Sequence, residues 1–319
     1  MPVTNEAELD DLLATPSDAD RAALRDVDEL IVIGAGGKMG PSLVERARRA
    51  APHAKIVTVA RSGADISADL LDRRQVDALP DSKNVIFLAG RKFGSTGNEG
   101  LTWATNALLP GMIGERYRDA RIVALSSGNI YPLTRDGANE QTPPAPAGEY
   151  AQSVLARERV FEYCSSRYGT RVTLVRLNYA IDLRYGVLLD IGQRVFARQP
   201  VSVAMGAVNV IWQGDANSVV LRSLCAASAP PFVLNLTGLD VLRVRDIAAR
   251  FGKILGVEVA FEGTEAETAL LNDARLCERL MGPPSIGVDQ MIEMVASWIR
   301  EGNATLNKPT HFEVRDGKY

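Results

Sequence analysis

The chain contains the stretch Leu30-Ile31-Val32-Ile33-Gly34-Ala35-Gly36-Gly37-Lys38-Met39-Gly40, which decides the fold. Its first four residues are apolar and predict a short buried strand, and Pro41 to Ala51 predicts a helix with Leu43, Val44 and Ala47 on its apolar face. A strand, a glycine-rich turn and a helix in this order are typical of a dinucleotide-binding loop. Glycine is needed there because the turn is tight, the backbone approaches a pyrophosphate, and helix and strand pack closely.

The glycine-rich turn supplies the first group of predicted cofactor-binding residues. The N–H groups at the start of the following helix would face the phosphates, because no earlier carbonyl pairs with them. The alternative interpretation is an ordinary tight turn between a strand and a helix. The predicted residues of the turn are Gly34, Gly36, Gly37, Lys38, Met39 and Gly40.

Composition and charge exclude several classes of protein. The 319 residues are 46% hydrophobic, which is enough for one large domain or two interlocked ones. A net charge of −3 argues against nucleic acid as the main partner. Three widely spaced cysteines suggest a reducing, cytoplasmic location, and the two histidines are too few for a histidine metal cluster, so we predict no metal site. Without a long apolar run, no membrane partner is expected.

Apolar strands that alternate with helices predict the fold class. Near-continuous apolar strands indicate a parallel sheet that is covered on both faces. The prediction is therefore an α/β protein with a doubly wound parallel sheet of the Rossmann type and a smaller C-terminal substrate domain. The predicted boundaries are an N-terminal extension over 1–27, an NAD(P)-binding domain over 28–176 to which 206–226 return, and a substrate-binding domain over 177–205 and 227–319.

The residues that follow the second and third strands complete the predicted cofactor site. An acid after the second strand would bind the ribose 2′-hydroxyl, whereas an arginine accommodates a 2′-phosphate. Arg61 stands at that place and Lys38 lies in the glycine turn. We therefore favour NADP over NAD, with two solvated surface charges as the alternative. The further predicted cofactor residues are Asp69, Leu70, Leu88, Ala89 and Gly90.

Hydroxyl side chains follow the fourth strand and begin the next long helix. Ser126 and Ser127 end the strand, and Tyr150 begins the helix. Ligands of doubly wound sheets bind at the carboxyl ends of the strands, so these hydroxyls are expected at the site of chemistry. A tyrosine there can donate or accept a proton, and a serine can hold the substrate oxygen.

Together these motifs resemble an extended short-chain dehydrogenase/reductase of the NAD-dependent epimerase/dehydratase family. The resemblance implies that Ser127 and Tyr150 are the catalytic pair, that Asn106 has a structural or proton-relay role, and that the chain forms a homodimer through helices Thr102–Tyr117 and Tyr150–Tyr168. The motifs that carry it are the turn Gly34-x-x-Gly37-x-x-Gly40, Asp69-Leu70, Phe87-Leu88-Ala89-Gly90, Asn106, Ser126-Ser127-x-x-x-Tyr131, Tyr150, Arg176, Gly214-Asp215-Ala216 and Asn235.

The chain departs from this family at one position of the long helix. The family pattern is Tyr-x-x-x-Lys, but Tyr150 is followed by Val154, one helical turn later. The missing lysine normally holds the nicotinamide ribose and lowers the pKa of the tyrosine, which otherwise lies near 10. Three explanations stay open: a relocated cation, either Lys92 or Arg157; chemistry in which Tyr150 acts mainly as an acid; or loss of catalysis with cofactor binding kept.

The predicted function is an NAD(P)-dependent oxidoreductase or epimerase/dehydratase that acts on a small polar substrate, such as a sugar or sugar-acid derivative. A cofactor-binding regulator without turnover is one alternative, and an isomerase or lyase without net redox change is another. Arg184 would suit a carboxylate or phosphate, with ordinary packing between domains as the alternative. The predicted substrate-contacting residues are Lys92, Asn129, Asn178, Asp182 and Arg184.

Overall fold

A seven-stranded parallel sheet forms the centre of the computed structural model, which describes residues 3–318. The strands of the chain are β1 Glu29–Ile33, β2 Lys55–Ala60, β3 Ile66–Ser67, β4 Asn84–Phe87, β5 Arg121–Ser127, β6 Arg171–Leu177, β7 Ala180–Ile181, β8 Val201–Ser202, β9 Ala207–Val208, β10 Ile211–Trp212, β11 Phe232–Leu236, β12 Leu242–Arg243 and β13 Phe261–Glu262. The order across the central sheet is β11-β6-β5-β4-β1-β2-β3. The chain thus winds outward from β1 in both directions, which confirms the predicted doubly wound α/β fold.

Helices cover both faces of this sheet. They are α1 Glu6–Ala14, α2 Asp18–Ala23, α3 Gly40–Ala50, α4 Arg73–Asp77, α5 Glu99–Trp103, α6 Leu109–Arg116, α7 Gly148–Tyr168, α8 Val187–Phe196, α9 Gln213–Arg222, α10 Val244–Leu255, α11 Arg275–Met281 and α12 Val288–Arg300. Two apolar cores on opposite sides of the sheet take residues from β1, β4 and β5. No helix within residues 3–318 combines the length and apolar character needed to cross a bilayer.

The helix predicted over Thr102–Tyr117 is interrupted. A π-helical turn, Ala104–Leu108, separates α5 from α6, and Pro110 lies in the first turn of α6. Proline has no N–H, so the α-helical hydrogen bond to the carbonyl of Asn106 cannot form. The interruption brings the buried side chain of Asn106 towards the loop after β4, where its amide donates to the carbonyl of Arg91 at 2.9 Å.

The N-terminal extension packs against the rest of the molecule. Helix α1 lies on α3 and α9, and its Leu9 and Leu13 are fully buried. Asp20 of α2 is also fully buried and forms an ion pair with Arg46 of α3 at 2.7 Å. These contacts exclude the interpretation that the extension is a mobile tail.

The C-terminal half of the chain contributes to both parts of the molecule. Strand β11 belongs to the segment 227–319, which the sequence assigned wholly to the substrate domain, yet it pairs in parallel with β6 at the edge of the central sheet. The remaining helices α8, α10 and α12 pack on one another around a separate apolar core. The predicted domain boundaries do not capture this arrangement, because β11 returns to the central sheet after a long segment that lies outside it.

A buried ion pair joins the long helix α7 to the sheet. Arg176 of β6 donates from Nη2 to Oε2 of Glu158 at 2.7 Å and from Nε to Oε1 at 3.0 Å. Ser126 donates to the same carboxylate at 2.5 Å, and Arg176 donates to the hydroxyl of Tyr131 at 2.5 Å. Burial alone would lower the pKa of the Arg176 guanidinium, but its bonds to Glu158 raise that pKa. Helix α7 is thereby held in one register against β5 and β6.

We predict that Glu158→Gln lowers the free energy of unfolding by about 3–5 kcal/mol, because it leaves the buried Arg176 charge without a counter-ion. The matched control is Glu162→Gln on the same helix, where an exposed ion pair with Arg159 is lost and less than about 1 kcal/mol is expected. Urea unfolding measures both. Equal effects of the two substitutions would contradict the prediction.

Candidate active site

The glycine turn is built so closely that side chains are excluded at its two ends. Gly34 has a φ of +87°, and a Cβ atom there would lie 2.5 Å from the backbone nitrogen of Ala89. A Cβ atom at Gly40 would lie 1.9 Å from the carbonyl oxygen of Ala35. Helix α3 therefore starts directly against β1 and β4, with its first N–H groups beside the turn. This bare backbone cradle fits the pyrophosphate of a dinucleotide.

A cavity of about 730 Å³ opens above the glycine turn, at the carboxyl ends of the strands. It is lined by most of the residues that the sequence singled out for the site. Of the predicted cofactor residues it includes Gly34, Gly36, Gly37, Lys38, Met39, Gly40, Leu88 and Gly90, and of the predicted catalytic and substrate residues Ser127, Tyr150, Lys92, Asn129, Asn178, Asp182 and Arg184.

Four predicted cofactor residues lie outside the lining of the cavity, and one of them, Ala89, packs against Gly34 instead. Arg61 and Asp69 are exposed and do not line the cavity, and Leu70 belongs to an apolar core on one face of the sheet. The carboxylate of Asp69 accepts a hydrogen bond from the N–H of Leu71 at 3.0 Å and so shapes its own turn. Lys38 instead points into the cavity, so the predicted convergence of Lys38 and Arg61 on one phosphate is wrong for these side-chain positions.

Ser127 and Tyr150 meet inside the cavity. Ser127 ends β5, and its hydroxyl donates to Oδ1 of Asn129 at 3.0 Å. Tyr150 lies in the first turn of α7. Burial raises the pKa of the Tyr150 phenol above its ordinary value, while a hydrogen bond with Ser127 and the charge of Arg157 act in the opposite direction. The phenol is therefore protonated at neutral pH, which suits a proton donor.

Val154 is turned away from the cavity. It is 1% exposed and packs with Ile130, Tyr131 and Ala138, and the ring of Tyr150 covers this small apolar cluster. A lysine at this position would have to leave the cluster to reach the cavity. The departure from the Tyr-x-x-x-Lys pattern is thus a change in packing as well as a lost charge.

Arg157 brings a cation to the cavity from the next turn of the same helix. Its guanidinium donates to the carbonyl of Leu125 at 2.6 Å and to Oδ1 of Asn106 at 2.8 Å. It fills the space beneath Gly90, where a Cβ atom would lie 2.7 Å from Nη2. Burial lowers the pKa of Arg157 to about 10, so that the group stays charged at neutral pH.

Asn106 and Ser153 complete the surroundings of this guanidinium. The amide of Asn106 donates to Ser153 Oγ at 2.9 Å, and Ser153 in turn donates to the carbonyl of Tyr150 at 2.8 Å. Arg157 is therefore connected to the backbone of Tyr150 through two polar side chains. The π-helical turn that carries Asn106 is what brings this amide within reach.

Two lysines, Lys38 and Lys92, also line the cavity. The ammonium group of Lys38 lies 3.3 Å from the ring centroid of Tyr185 and 4.4 Å from that of Phe93. The ammonium group of Lys92 lies 5.5 Å from the Phe93 centroid and 5.8 Å from that of Tyr150. Burial, and next the charge of Lys92, lower the pKa of Lys38 to about 7; burial lowers the pKa of Lys92 to about 8.

The predicted substrate ligand Arg184 is already engaged by two acids. It pairs with Asp182 at 3.0 Å and with Asp10 of the N-terminal extension at 2.9 Å. The side chain of Asn178 is likewise occupied, donating to Oδ1 of Asn209 at 2.9 Å. These three predicted substrate residues, Asn178, Asp182 and Arg184, therefore build the wall of the cavity with side chains that are bonded to the protein itself.

The sequence missed the part that the C-terminal segment plays. Leu306, Lys308 and Thr310 line the cavity. Thr310 donates to the half-buried Asp190 of α8 through both its N–H, at 2.7 Å, and its hydroxyl, at 2.5 Å. The sequence of this polar segment contains no motif that could have predicted this position.

Comparisons with known proteins agree with this geometry. The sequence model of the NAD dependent epimerase/dehydratase family matches residues 30–180. A comparison with curated proteins finds no match. Among solved structures, the chain is similar to MoeE5 in complex with UDP-glucuronic acid and NAD, with a TM-score of 0.73, 19% identity, and coverage of 86% of this chain and 99% of that chain.

Two epimerases are similar to the same extent. One is the UDP-glucose 4-epimerase of Thermotoga maritima with UDP-glucose, with a TM-score of 0.72, 14% identity, and coverage of 86% of this chain and 99% of that one. The other is a UDP-glucuronic acid 4-epimerase variant from Bacillus cereus, with a TM-score of 0.73, 14% identity and the same coverage. At these identities the likeness establishes the fold. The match to the NAD dependent epimerase/dehydratase family model covers residues 30–180, from β1 to β7, and so coincides with most of this fold's central sheet.

Proposed function

We propose that the protein is an NAD(P)-dependent oxidoreductase or epimerase/dehydratase that acts on a small polar substrate such as a sugar or sugar-acid derivative. The observation that carries the proposal is the meeting of Ser127 and Tyr150 in one cavity, directly above the glycine cradle. The similar structures with bound NAD and sugar nucleotides support this substrate class.

The chain's own residues suffice for the proton chemistry. Ser127 would hold the reacting oxygen of the substrate by a hydrogen bond, and Tyr150 would give its proton to that oxygen or take one from it. The glycine cradle and the start of α3 would hold the pyrophosphate, with Leu88 and Gly90 leaving room for the nicotinamide half. When bound, the nicotinamide ring supplies the hydride acceptor or donor.

Arg157 replaces the missing lysine in this proposal. Its guanidinium lies beneath Gly90. Its positive charge lowers the pKa of the Tyr150 phenol. Lys92 was the other candidate for this role, and its ammonium group lies near the Tyr150 ring. We assign the role to Arg157 because Asn106 and Leu125 hold it in one orientation on the helix of Tyr150.

A homodimer is part of the proposal. Leu108 is 60% exposed and Tyr163 is 61% exposed. Both lie on the neighbouring helical segments that the resemblance places at a dimer interface. Sedimentation equilibrium tests this, and a monomer at micromolar concentration would contradict it. The cytoplasmic location stays a prediction.

Tyr150→Phe is expected to lower kcat by about 10²- to 10⁴-fold while cofactor affinity is kept, because only the transferable proton is removed. The control is Tyr163→Phe, an exposed tyrosine of the same helix. Turnover is measured by nicotinamide absorbance and by product analysis across sugars, sugar acids and ketones. If the wild type binds the cofactor but turns over none of them, the protein is instead a cofactor-binding regulator.

Arg157→Met is expected to slow proton abstraction by Tyr150 by about tenfold for each unit by which the pKa of the phenol rises. The rising limb of the pH profile should move to higher pH, because less phenolate is present at any pH below that pKa. Arg157→Lys should keep most of the activity. A purely structural role would instead lower activity in both variants with the pH profile unchanged.

NADP is favoured over NAD in the proposal because Arg61 follows β2 and is exposed to an incoming 2′-phosphate. We expect NADPH to bind about tenfold more tightly than NADH, which corresponds to roughly 1.4 kcal/mol. Arg61→Ser should remove the difference, and Arg167→Ser, an exposed arginine at the end of α7, should not. Fluorescence titration with both nucleotides measures it, and equal affinities in the wild type would contradict it.

A further inference from the structure

The C-terminal segment, residues 303–318, is fastened across the cavity at several points. The N–H of Leu306 donates to the carbonyl of Arg184 at 2.9 Å, and Thr310 is bonded twice to Asp190. Arg315 donates to the carbonyl of Thr268 at 2.6 Å. The segment is thus a fixed wall of the cavity, because each fastening reaches a different element.

The same segment ends against the helix that carries Tyr150. A Cβ atom at Gly148, the first residue of α7, would lie 2.4 Å from the carbonyl oxygen of Gly317. Closer to the cavity, the ring centroids of His311 and Phe93 lie 6.1 Å apart. The wall therefore runs from the rim at Arg184 to the beginning of α7.

Positive charge collects beneath this wall. The ammonium groups of Lys38 and Lys92 lie within 6 Å of the same Phe93 ring. Lys308 of the wall adds a third charge, since it lowers the pKa of Lys38 by repulsion. The acids that face these lysines are Asp190 and Glu313, and both stabilise the charged form of Lys92.

The carboxylate of Asp190 is also bonded to the C-terminal wall. Burial raises its pKa, and it already accepts two hydrogen bonds from Thr310. Lys92 also stands 5.8 Å from the ring of Tyr150, at the reacting end of the cavity rather than at the glycine cradle. An anion held by Lys92 would therefore belong to the substrate.

We infer that the cavity binds an oxyanion of the substrate, a carboxylate or a phosphate, between Lys38 and Lys92 beneath the C-terminal wall. This inference rests on the proposed function for the placement of the reacting centre at Tyr150. It moves the recognition of the anion from Arg184, which is neutralised by Asp182 and Asp10, to the two lysines.

Differential acetylation of lysines tests this inference without turnover. The whole protein, saturated with NADH so that the cofactor phosphates are in place, is treated with acetic anhydride at pH 8, and peptides are quantified by mass spectrometry. The probes are glucuronate, glucose 6-phosphate and uncharged glucose. Lys253, which is exposed on α10, is the internal control.

At least one anionic probe is expected to slow the labelling of Lys92 about fivefold and that of Lys38 about twofold, because at pH 8 a bound oxyanion that raises each pKa by one unit lowers the two free-amine fractions by roughly these factors. Glucose should have no effect, and Lys253 should react equally in all samples. Protection by glucuronate alone identifies a carboxylate, and protection by glucose 6-phosphate alone a phosphate. In Lys92→Met, the protection of Lys38 by that probe should be lost.

The inference is overturned if neither anion protects the two lysines, if glucose protects them equally, or if NADH alone already abolishes their labelling. The last result would make both lysines cofactor ligands. Failure of the proposed function is recognised separately, because Tyr150→Phe would then leave turnover unchanged whatever the labelling shows.

Discussion

The buried pair of Glu158 and Arg176 is the contact on which the geometry of the site depends. It fixes helix α7 to β6, while Ser126 binds the same carboxylate from β5 and Tyr131 binds the guanidinium. An ion pair this deeply buried is costly unless every lone pair and proton is satisfied. Because only one register of the helix satisfies them all, Tyr150 is held above the end of β5, opposite Ser127.

The second constraint is the lack of space around the glycine turn. Backbone atoms of Ala35 and Ala89 occupy the places where side chains of Gly40 and Gly34 would stand. The glycine cradle and the placement of Ser127 and Tyr150 are thus set by different means, one by close backbone packing and the other by a buried ion pair. The positive charge near Tyr150 comes from Arg157, while Val154 packs in an apolar cluster.

The two ends of the chain meet at this cavity. Asp10 of the N-terminal extension pairs with Arg184, and the carbonyl of Arg184 accepts from Leu306 of the C-terminal segment. Segments without any motif of their own therefore contribute to the wall of the cavity that Tyr150 also lines. In this chain the shape and charge of the cavity depend on additions outside the matched residues 30–180.

How far the sequence could predict this molecule depended on the range of the interactions. The apolar run Leu30–Ile33, the glycine turn and the alternation of strands and helices are local patterns, and they correctly predicted the doubly wound sheet. Ser127 and Tyr150 were found through the family resemblance. Local patterns failed at the predicted helix Thr102–Tyr117, which a π-helical turn before Pro110 interrupts, and at β11, whose pairing depends on a distant strand.

By itself, the sequence determined the sheet and the glycine cradle, because these follow from the spacing of neighbouring residues and from glycine's lack of a side chain. Only the tertiary structure decided which charges face the cavity. Nothing in the sequence distinguishes the role of Arg184 from that of Arg157. In the structure, Arg184 is neutralised by Asp10 and Asp182, whereas Arg157 lies buried beneath Gly90. The residues that pair with a charged side chain often lie far from it in the sequence. Its role at a site follows from those partners.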